Sequence, residues 1–151
     1  MIEVYNDEFF MKQAFLEAKK AFDKDEVPVG AVVVLKNRII ARGHNLTEQL
    51  SDVTAHAEVQ AITSAAQFLG SKYLKGCTMY VSLEPCVMCA GALFWSQIDK
   101  VVFAARDEKR GASLCEPTAY HQSTLVVKGP FQEESRQLLK SFFSKKRKST
   151  I

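Results

Sequence analysis

Hydrophobic and polar positions along the chain predict helices and strands in alternation. Behind a cap at Asn6 or Asp7, apolar residues recur at offsets of three and four and give one helical stripe. A continuous apolar run at Gly30–Leu35 predicts a buried central strand. The next three residues are short enough for a hairpin turn, so residues 39–42 return as the partner strand. The stripe of the first helix consists of Met11, Ala14, Phe15, Ala18 and Phe22.

A second helix is predicted after Thr54, which can cap it by accepting a backbone N–H, and Gly70 marks its end. Cys77–Leu83 is an apolar run typical of a strand. Pro85 suits the first position of a following helix, which we expect to extend to Trp95. These three segments predict one succession of helix, strand and helix in the middle of the chain.

The last third of the chain holds two more predicted strands, at Lys100–Ala105 and at residues 123–128, separated by a long irregular stretch. A C-terminal helix follows, with an apolar side that runs into basic residues. The order of elements predicts the α/β class, as a three-layer α/β/α sandwich with a mixed five-stranded sheet. With 151 residues, one domain is expected. We place that domain at residues 1–144 and a basic C-terminal tail at residues 145–151.

The net charge of +3 is concentrated in this tail. Four of the 20 basic residues form a run at positions 145–148, and the 16 that remain are balanced by 17 acidic residues. The body of the chain is therefore close to neutral. A run of this kind is either a solvated chain end or a patch that contacts phosphates, and the sequence leaves both interpretations open.

The chain contains four cysteines, but no secretory pattern at its N-terminus and no apolar run near the ~18 residues of a membrane span. A chain of this length buries roughly 68–70% of its unfolded surface and needs no disulfides to hold a core. We therefore expect a reducing, cytoplasmic compartment and no membrane association. The cysteines are expected to serve metal binding or catalysis.

The chain is organised around residues 83–89, which read Leu-Glu-Pro-Cys-Val-Met-Cys. Cys86 and Cys89 are spaced to lie on one helical face, at the N-terminal end where the helix dipole favours thiolates. A second segment, Thr-Ala-His-Ala-Glu at positions 54–58, places His56 at the start of another helix. Two thiolates and one imidazole are ligand types that suit zinc.

Three protein ligands leave one zinc position for a water, whose pKa falls to near 7, as in catalytic zinc sites. The remaining histidines and cysteines are not paired at ligand spacing; they are His44, His121, Cys77 and Cys115. Glu58 follows His56 by two residues, so the two side chains do not share a helix face. Glu58 is therefore poorly placed as a ligand and is our candidate for the general acid and base.

Each motif alone is a weak signal, because Cys-x-x-Cys also occurs in redox sites and zinc ribbons. Together, 30 residues apart and with a proline before the first cysteine, the motifs form the H-x-E…P-C-x-x-C signature of zinc-dependent nucleobase deaminases. The signature indicates the reaction type, which is hydrolytic removal of an exocyclic amine.

Beyond this signature, several stretches resemble the bacterial tRNA adenosine deaminase family of the cytidine and deoxycytidylate deaminase superfamily. They lie at residues 26–32, 54–58, 83–92 and 101–107, and Phe142-Phe143 with its following basic residues is similar to the family's last helix. The resemblance implies a cytidine-deaminase-like fold with one Zn²⁺ per subunit. It further implies a homodimer that deaminates the wobble adenosine, position 34, of a splayed tRNA anticodon loop to inosine.

The same resemblance implies roles for individual residues. His56, Cys86 and Cys89 would bind zinc, and Glu58 would be the proton shuttle. Asn45 would hydrogen-bond the target base or its sugar. The full set of implied substrate contacts is Val29, Asn45, the backbone N–H of Ala57, Pro85, Arg106 and Asp107.

Two features depart from the family pattern. Val53 stands where many members carry proline, and residues 111–129 form a shorter segment than in well-known members. Because this segment flanks the pocket, a deaminase of a small nucleobase or nucleotide, of the guanine or cytosine type, remains an alternative. A non-catalytic, zinc-stabilised binding module is a third interpretation, which Glu58 disfavours.

Overall fold

The structure is a computed structural model that describes residues 5–149. Two parts of the sequence lie outside the described residues. They are residues 1–4, which belong to the N-terminus without a secretory pattern, and residues 150–151 of the predicted tail. The helices are α1 (Asp7–Asp23), α2 (Ala57–Leu69), α3 (Val87–Ser96) and α4 (Gln132–Ser149). The strands are β1 (Gly30–Leu35), β2 (Arg38–His44), β3 (Cys77–Leu83), β4 (Lys100–Ala105) and β5 (Leu125–Lys128).

The five strands form one sheet in the order β2-β1-β3-β4-β5. β1 pairs antiparallel with both β2 and β3, whereas β4 pairs parallel with β3 and β5. The sheet is therefore mixed, and the prediction of a five-stranded α/β sandwich is confirmed. Lys36 and Asn37, both with positive φ, make the predicted tight hairpin turn between β1 and β2.

Alternate residues of the strands feed two separate hydrophobic clusters, one on each face of the sheet. The first cluster lies beneath α2 and α3 and includes Ala61, Leu93 and Val33. The second lies beneath α1 and includes Met11, Val32 and other residues of β1, β3 and β4. α4 contacts α1, β3 and β4. The prediction of helices on both faces is confirmed.

Both helices that carry candidate ligands begin later than predicted. α3 begins at Val87 with Cys86 as its N-cap, so Pro85 lies outside the helix. α2 begins at Ala57 with His56 as its N-cap. The proposed Thr54 cap is wrong, because the Thr54 hydroxyl and N–H both bond to the carboxylate of Asp52 in a local turn. Two of the three ligands therefore lie at the extended residue where the chain enters a helix.

Differences also appear in the C-terminal third. The segment predicted as irregular contains a short 3₁₀ turn at Ala112–Leu114, and β5 starts at Leu125, two residues later than expected. α4 continues through all four basic residues of the tail to Ser149. Basic residues in the last turn of a helix complement its dipole. The division into a domain and a tail stays a prediction.

Candidate metal centre and pocket

Three candidate ligand atoms converge where α2 and α3 begin. His56 Nδ1 lies 3.7 Å from Cys86 Sγ and 3.5 Å from Cys89 Sγ. All three atoms lie within 4.8 Å of one another. A tetrahedral zinc with Zn–S of ~2.3 Å and Zn–N of ~2.0–2.1 Å separates such atoms by roughly 3.5–3.8 Å. The three residues thus fit a zinc ion, while the chain's other histidines and cysteines lie outside this group.

Hydrogen bonding within the cluster distributes the charge unequally between the two cysteines. The hydrogen bond from Cys89 lowers the pKa of Cys86 to about 3. The same bond, together with burial, raises the pKa of Cys89. Hydrogen bonding to Cys86 also raises the pKa of His56. A cluster in which one thiolate is already favoured is suited to a soft divalent cation.

Glu58 lies beside the cluster, on the first turn of α2, with only 3% of its surface exposed. Burial raises the pKa of its carboxyl group to about 7. Hydrogen bonding to its own backbone and to Cys89 opposes this rise in pKa. A carboxyl group with a pKa near neutrality can both accept and donate a proton under working conditions.

A cavity of about 290 Å³ opens beside the cluster. Of the three ligands, His56 and Cys86 reach its wall, and Glu58 does as well. Four of the six expected substrate contacts also lie in the wall: Val29, Asn45, Ala57 and Asp107. The cavity has the size of a small-molecule or single-base site.

The other two expected contacts, Pro85 and Arg106, are not part of this wall. Pro85 is buried, and its carbonyl accepts a hydrogen bond from the Ala112 N–H at 2.9 Å. The Arg106 guanidinium donates to Ser113 Oγ at 3.1 Å and lies over the Phe103 ring. The Arg106 side chain instead lines a neighbouring groove.

Asn45 is largely buried and already holds its own loop in place. Its side-chain amide donates to the Val27 carbonyl at 3.3 Å and accepts from the Thr47 N–H at 3.2 Å. A carboxamide has two donor hydrogens and two acceptor positions on its oxygen. One donor and one acceptor position of Asn45 are therefore left for a ligand in the cavity.

The cavity wall also contains residues for which the sequence predicted no substrate contact: Val27, Thr47, Leu83, Glu84 and Arg110. Val27 and Leu83 are apolar residues inside motifs that the sequence did highlight. Thr47 and Arg110 belong to loops with no local signal. Glu84 was visible as a charged residue at the end of an apolar run, and in the structure its carboxylate accepts two backbone N–H groups.

Comparisons with known proteins agree with this geometry. Residues 4–105 match the family described as cytidine and deoxycytidylate deaminase zinc-binding region. The chain is 48% identical to the tRNA-specific adenosine deaminase of Aquifex aeolicus, over 95% of this chain and 98% of that protein. A solved structure from studies of A-to-I editing by tRNA:A34 deaminases matches with a TM-score of 0.81 and 42% identity, over 87% of this chain and 99% of that chain. The guanine deaminase of Bacillus subtilis matches at 42% identity with a TM-score of 0.64, over 67% of this chain and 65% of that chain.

Proposed function

Because the chain belongs to the cytidine and deoxycytidylate deaminase family, we propose that it hydrolyses the wobble adenosine of tRNA, at position 34, to inosine. The observation that carries this proposal is its similarity, over 95% of its length, to a tRNA-specific adenosine deaminase. Guanine deaminases match either over less of the chain, with 42% identity over 67% of it, or at lower identity, with 25% over 91% of it. The chain is a zinc-dependent hydrolase, and His56, Cys86 and Cys89 are the residues that would hold the ion.

Zinc held by these three residues supplies a water that ionises near neutral pH. The Glu58 carboxylate takes protons from the attacking water and delivers one to ring nitrogen N1 and one to the departing amine. The water oxygen becomes the C6 carbonyl oxygen, and ammonia leaves. The raised pKa of Glu58 supports this role, because the same carboxyl group must accept and release each proton.

Groups in the cavity wall can orient the base for this attack. As the first residue of α2, Ala57 has a backbone N–H without an acceptor inside the helix, and it can donate to the base edge. Asn45 offers its second donor or acceptor position to the base or its sugar. Val29 provides an apolar surface, and Asp107, which also lies in the wall, would face the nucleotide beside the target.

A groove next to the cavity supports an RNA substrate over a free base. It has a volume of about 570 Å³ and shares Val27, Leu83 and Asp107 with the cavity wall. Its other lining residues include the exposed ring of Phe143 and the cationic side chains of Arg106, Lys109 and Arg136. Aromatic rings stack on unpaired bases and cations contact phosphates, so the groove suits the nucleotides that flank the target. The basic run at positions 145–148 adds positive charge further along α4, where Lys146 is paired with Asp25.

We expect the purified zinc-loaded protein to form inosine in an anticodon stem-loop with adenosine at position 34, and to leave free guanine, cytosine, cytidine and adenosine unchanged. The matched control is the same stem-loop with its only loop adenosine moved to position 35. Because phosphates contribute to affinity, binding should weaken about tenfold or more between 50 and 200 mM salt, as roughly three contacts would give. Turnover of guanine with untouched RNA would contradict the proposal.

The homodimer is likewise a proposal, and the outer face of α3 supports it. Trp95 and Val87 on this helix are 75% and 57% exposed, and open space lies above Gly91. A second copy of the chain would cover this apolar surface.

Light scattering should therefore give twice the 16.9 kDa chain mass. Trp95→Glu should return the single-chain mass, while Leu125→Glu, at an exposed position on β5, should not. A wild-type protein that stays at the single-chain mass up to micromolar concentration would rule out the dimer.

A cytoplasmic location belongs to the same proposal. All four cysteines are free thiols, which suits a reducing compartment. Among the described helices, none has both the length and the hydropathy needed to cross a membrane.

A further inference from the structure

Two loops contribute side chains to the wall of the cavity and are called its rims below. The first follows β2 and contributes Asn45 and Thr47, and the second follows β4 and contributes Asp107 and Arg110. Both loops are irregular, so regular strand or helix hydrogen bonds do not fix their positions. Each loop is instead attached to a buried glutamate that lies far from it in sequence.

Glu84 holds the second rim. Its side chain is 3% exposed, and its two carboxylate oxygens accept from the Asp107 N–H at 3.0 Å and the Ser113 N–H at 2.9 Å. Gly111 packs directly against this carboxylate and forms an isolated bridge with the zinc ligand Cys86. The rim loop and the metal-binding turn are thus joined through one carboxylate.

Glu26 repeats this arrangement at the first rim. It is 1% exposed, and its two oxygens accept from the Glu48 N–H at 3.0 Å and the Gln49 N–H at 2.7 Å. Glu26 precedes Val27, whose carbonyl accepts from the Asn45 side chain. Glu26 and Val27 therefore hold the loop together, Val27 at Asn45 itself and Glu26 three and four residues after it.

We propose that Glu26 and Glu84 are positioning residues that set the distance between the two rims and so determine how tightly the target nucleotide is held. This inference deepens the proposed function and rests on it. Neither glutamate carries protons in the reaction, because the oxygens of both are occupied by backbone N–H groups. Charged acceptors form stronger hydrogen bonds than neutral ones, which suits them to ordering irregular loops.

Glutamine substitutions test the proposal, because glutamine keeps the shape but replaces one acceptor oxygen with a donor that faces an N–H. In Glu84→Gln and Glu26→Gln we expect the KM for the anticodon stem-loop to rise about tenfold, since small misplacements of positioning groups weaken productive binding. The kcat should change by less than about threefold, and zinc should stay at one per subunit. Amide hydrogen exchange should accelerate at Asp107 and Ser113 in the first variant, and at Glu48 and Gln49 in the second.

Glu17→Gln is the matched control. Glu17 is also buried, at 2% exposure, but its carboxylate contacts the side chains of Lys20, Arg42 and His44 rather than rim-loop backbone. Its replacement should lower the melting temperature and leave the KM unchanged. A KM rise in this control as large as in the rim variants would overturn the proposal, because general destabilisation would then explain the effect.

Gly111→Ala tests the contact between Glu84 and the second rim by changing the loop and not the glutamate. A Cβ at this position would lie 2.4 Å from Glu84 Oε1 and 2.5 Å from the Asp107 carbonyl oxygen, so the loop must shift. The same KM rise is expected. Faster amide exchange with a wild-type KM in all three rim variants would overturn the inference, as would loss of zinc with an unchanged KM.

The substrate of the wild-type protein and the KM of the rim variants test the proposed function and this inference separately. If the wild-type protein deaminates guanine and not the stem-loop, the proposed function fails. The rim variants are then compared by their KM for guanine, and the positioning role stands only if that KM rises with faster exchange of the rim amides.

Discussion

Glu58→Ala should reduce inosine formation by about 10⁴-fold, at the upper end of the range for a general acid and base, because one carboxyl group serves both proton transfers. Zinc should remain bound at one per subunit, since His56, Cys86 and Cys89 converge without Glu58. The measurement is single-turnover deamination of the anticodon stem-loop, with metal content determined on the same sample.

Two further variants show whether the loss of activity comes from the loss of proton transfer by Glu58. Glu58→Gln keeps the shape of the side chain but cannot accept a proton, so it should be as inactive as the alanine variant. Glu48→Ala, at an exposed glutamate whose backbone N–H rather than its side chain holds the rim, should retain wild-type activity. Activity within tenfold of wild type in Glu58→Ala would show that another group carries the protons.

Cys89→Ser should lower both activity and zinc affinity, each by more than about 100-fold. Replacing even residues that only support a metal ligand costs 10–100-fold, and Cys89 would supply a ligand atom itself. A serine hydroxyl is also a poor substitute for a thiolate at a soft site. Metal content after dialysis and turnover of the stem-loop are the measurements, and added zinc should restore little activity.

Cys77→Ser provides the matched control, because Cys77 is as completely buried as Cys89 but lies at the start of β3, outside the cluster. This variant should keep zinc and activity, even if its melting temperature falls. Full zinc occupancy in Cys89→Ser would mean that the ion is held by a different set of residues.

The sequence predicted much of the metal cluster because its information is local. Cys86 and Cys89 are one helical turn apart, and each ligand segment follows an extended stretch, so the ligand types and their spacing could be recognised directly. The exact helix starts could not be predicted. Asp52 competes for the Thr54 hydroxyl, and the extended backbone of Cys86 and His56 makes them caps rather than first-turn residues.

The rims of the cavity were harder to predict because they depend on contacts between distant parts of the chain. Glu84 bonds to Asp107, 23 residues away, and Glu26 bonds to Glu48, 22 residues away. No periodicity or motif in the sequence indicates which distant residues form such hydrogen bonds. The direction of the Arg106 side chain was hard to predict for the same reason. It contacts Ser113 and the Phe103 ring and therefore lies away from the cavity.

The division of the interior by the sheet has a consequence for engineering. The cluster under α1, which contains Phe10, Met11 and Tyr80, is separated by the whole thickness of the sheet from the helices that carry the zinc ligands. Repacking this layer offers a route to a more heat-resistant protein in which the reacting atoms keep their places. A change of preferred base must instead come from the loops, so laboratory evolution could draw on two separate sets of positions for robustness and for specificity.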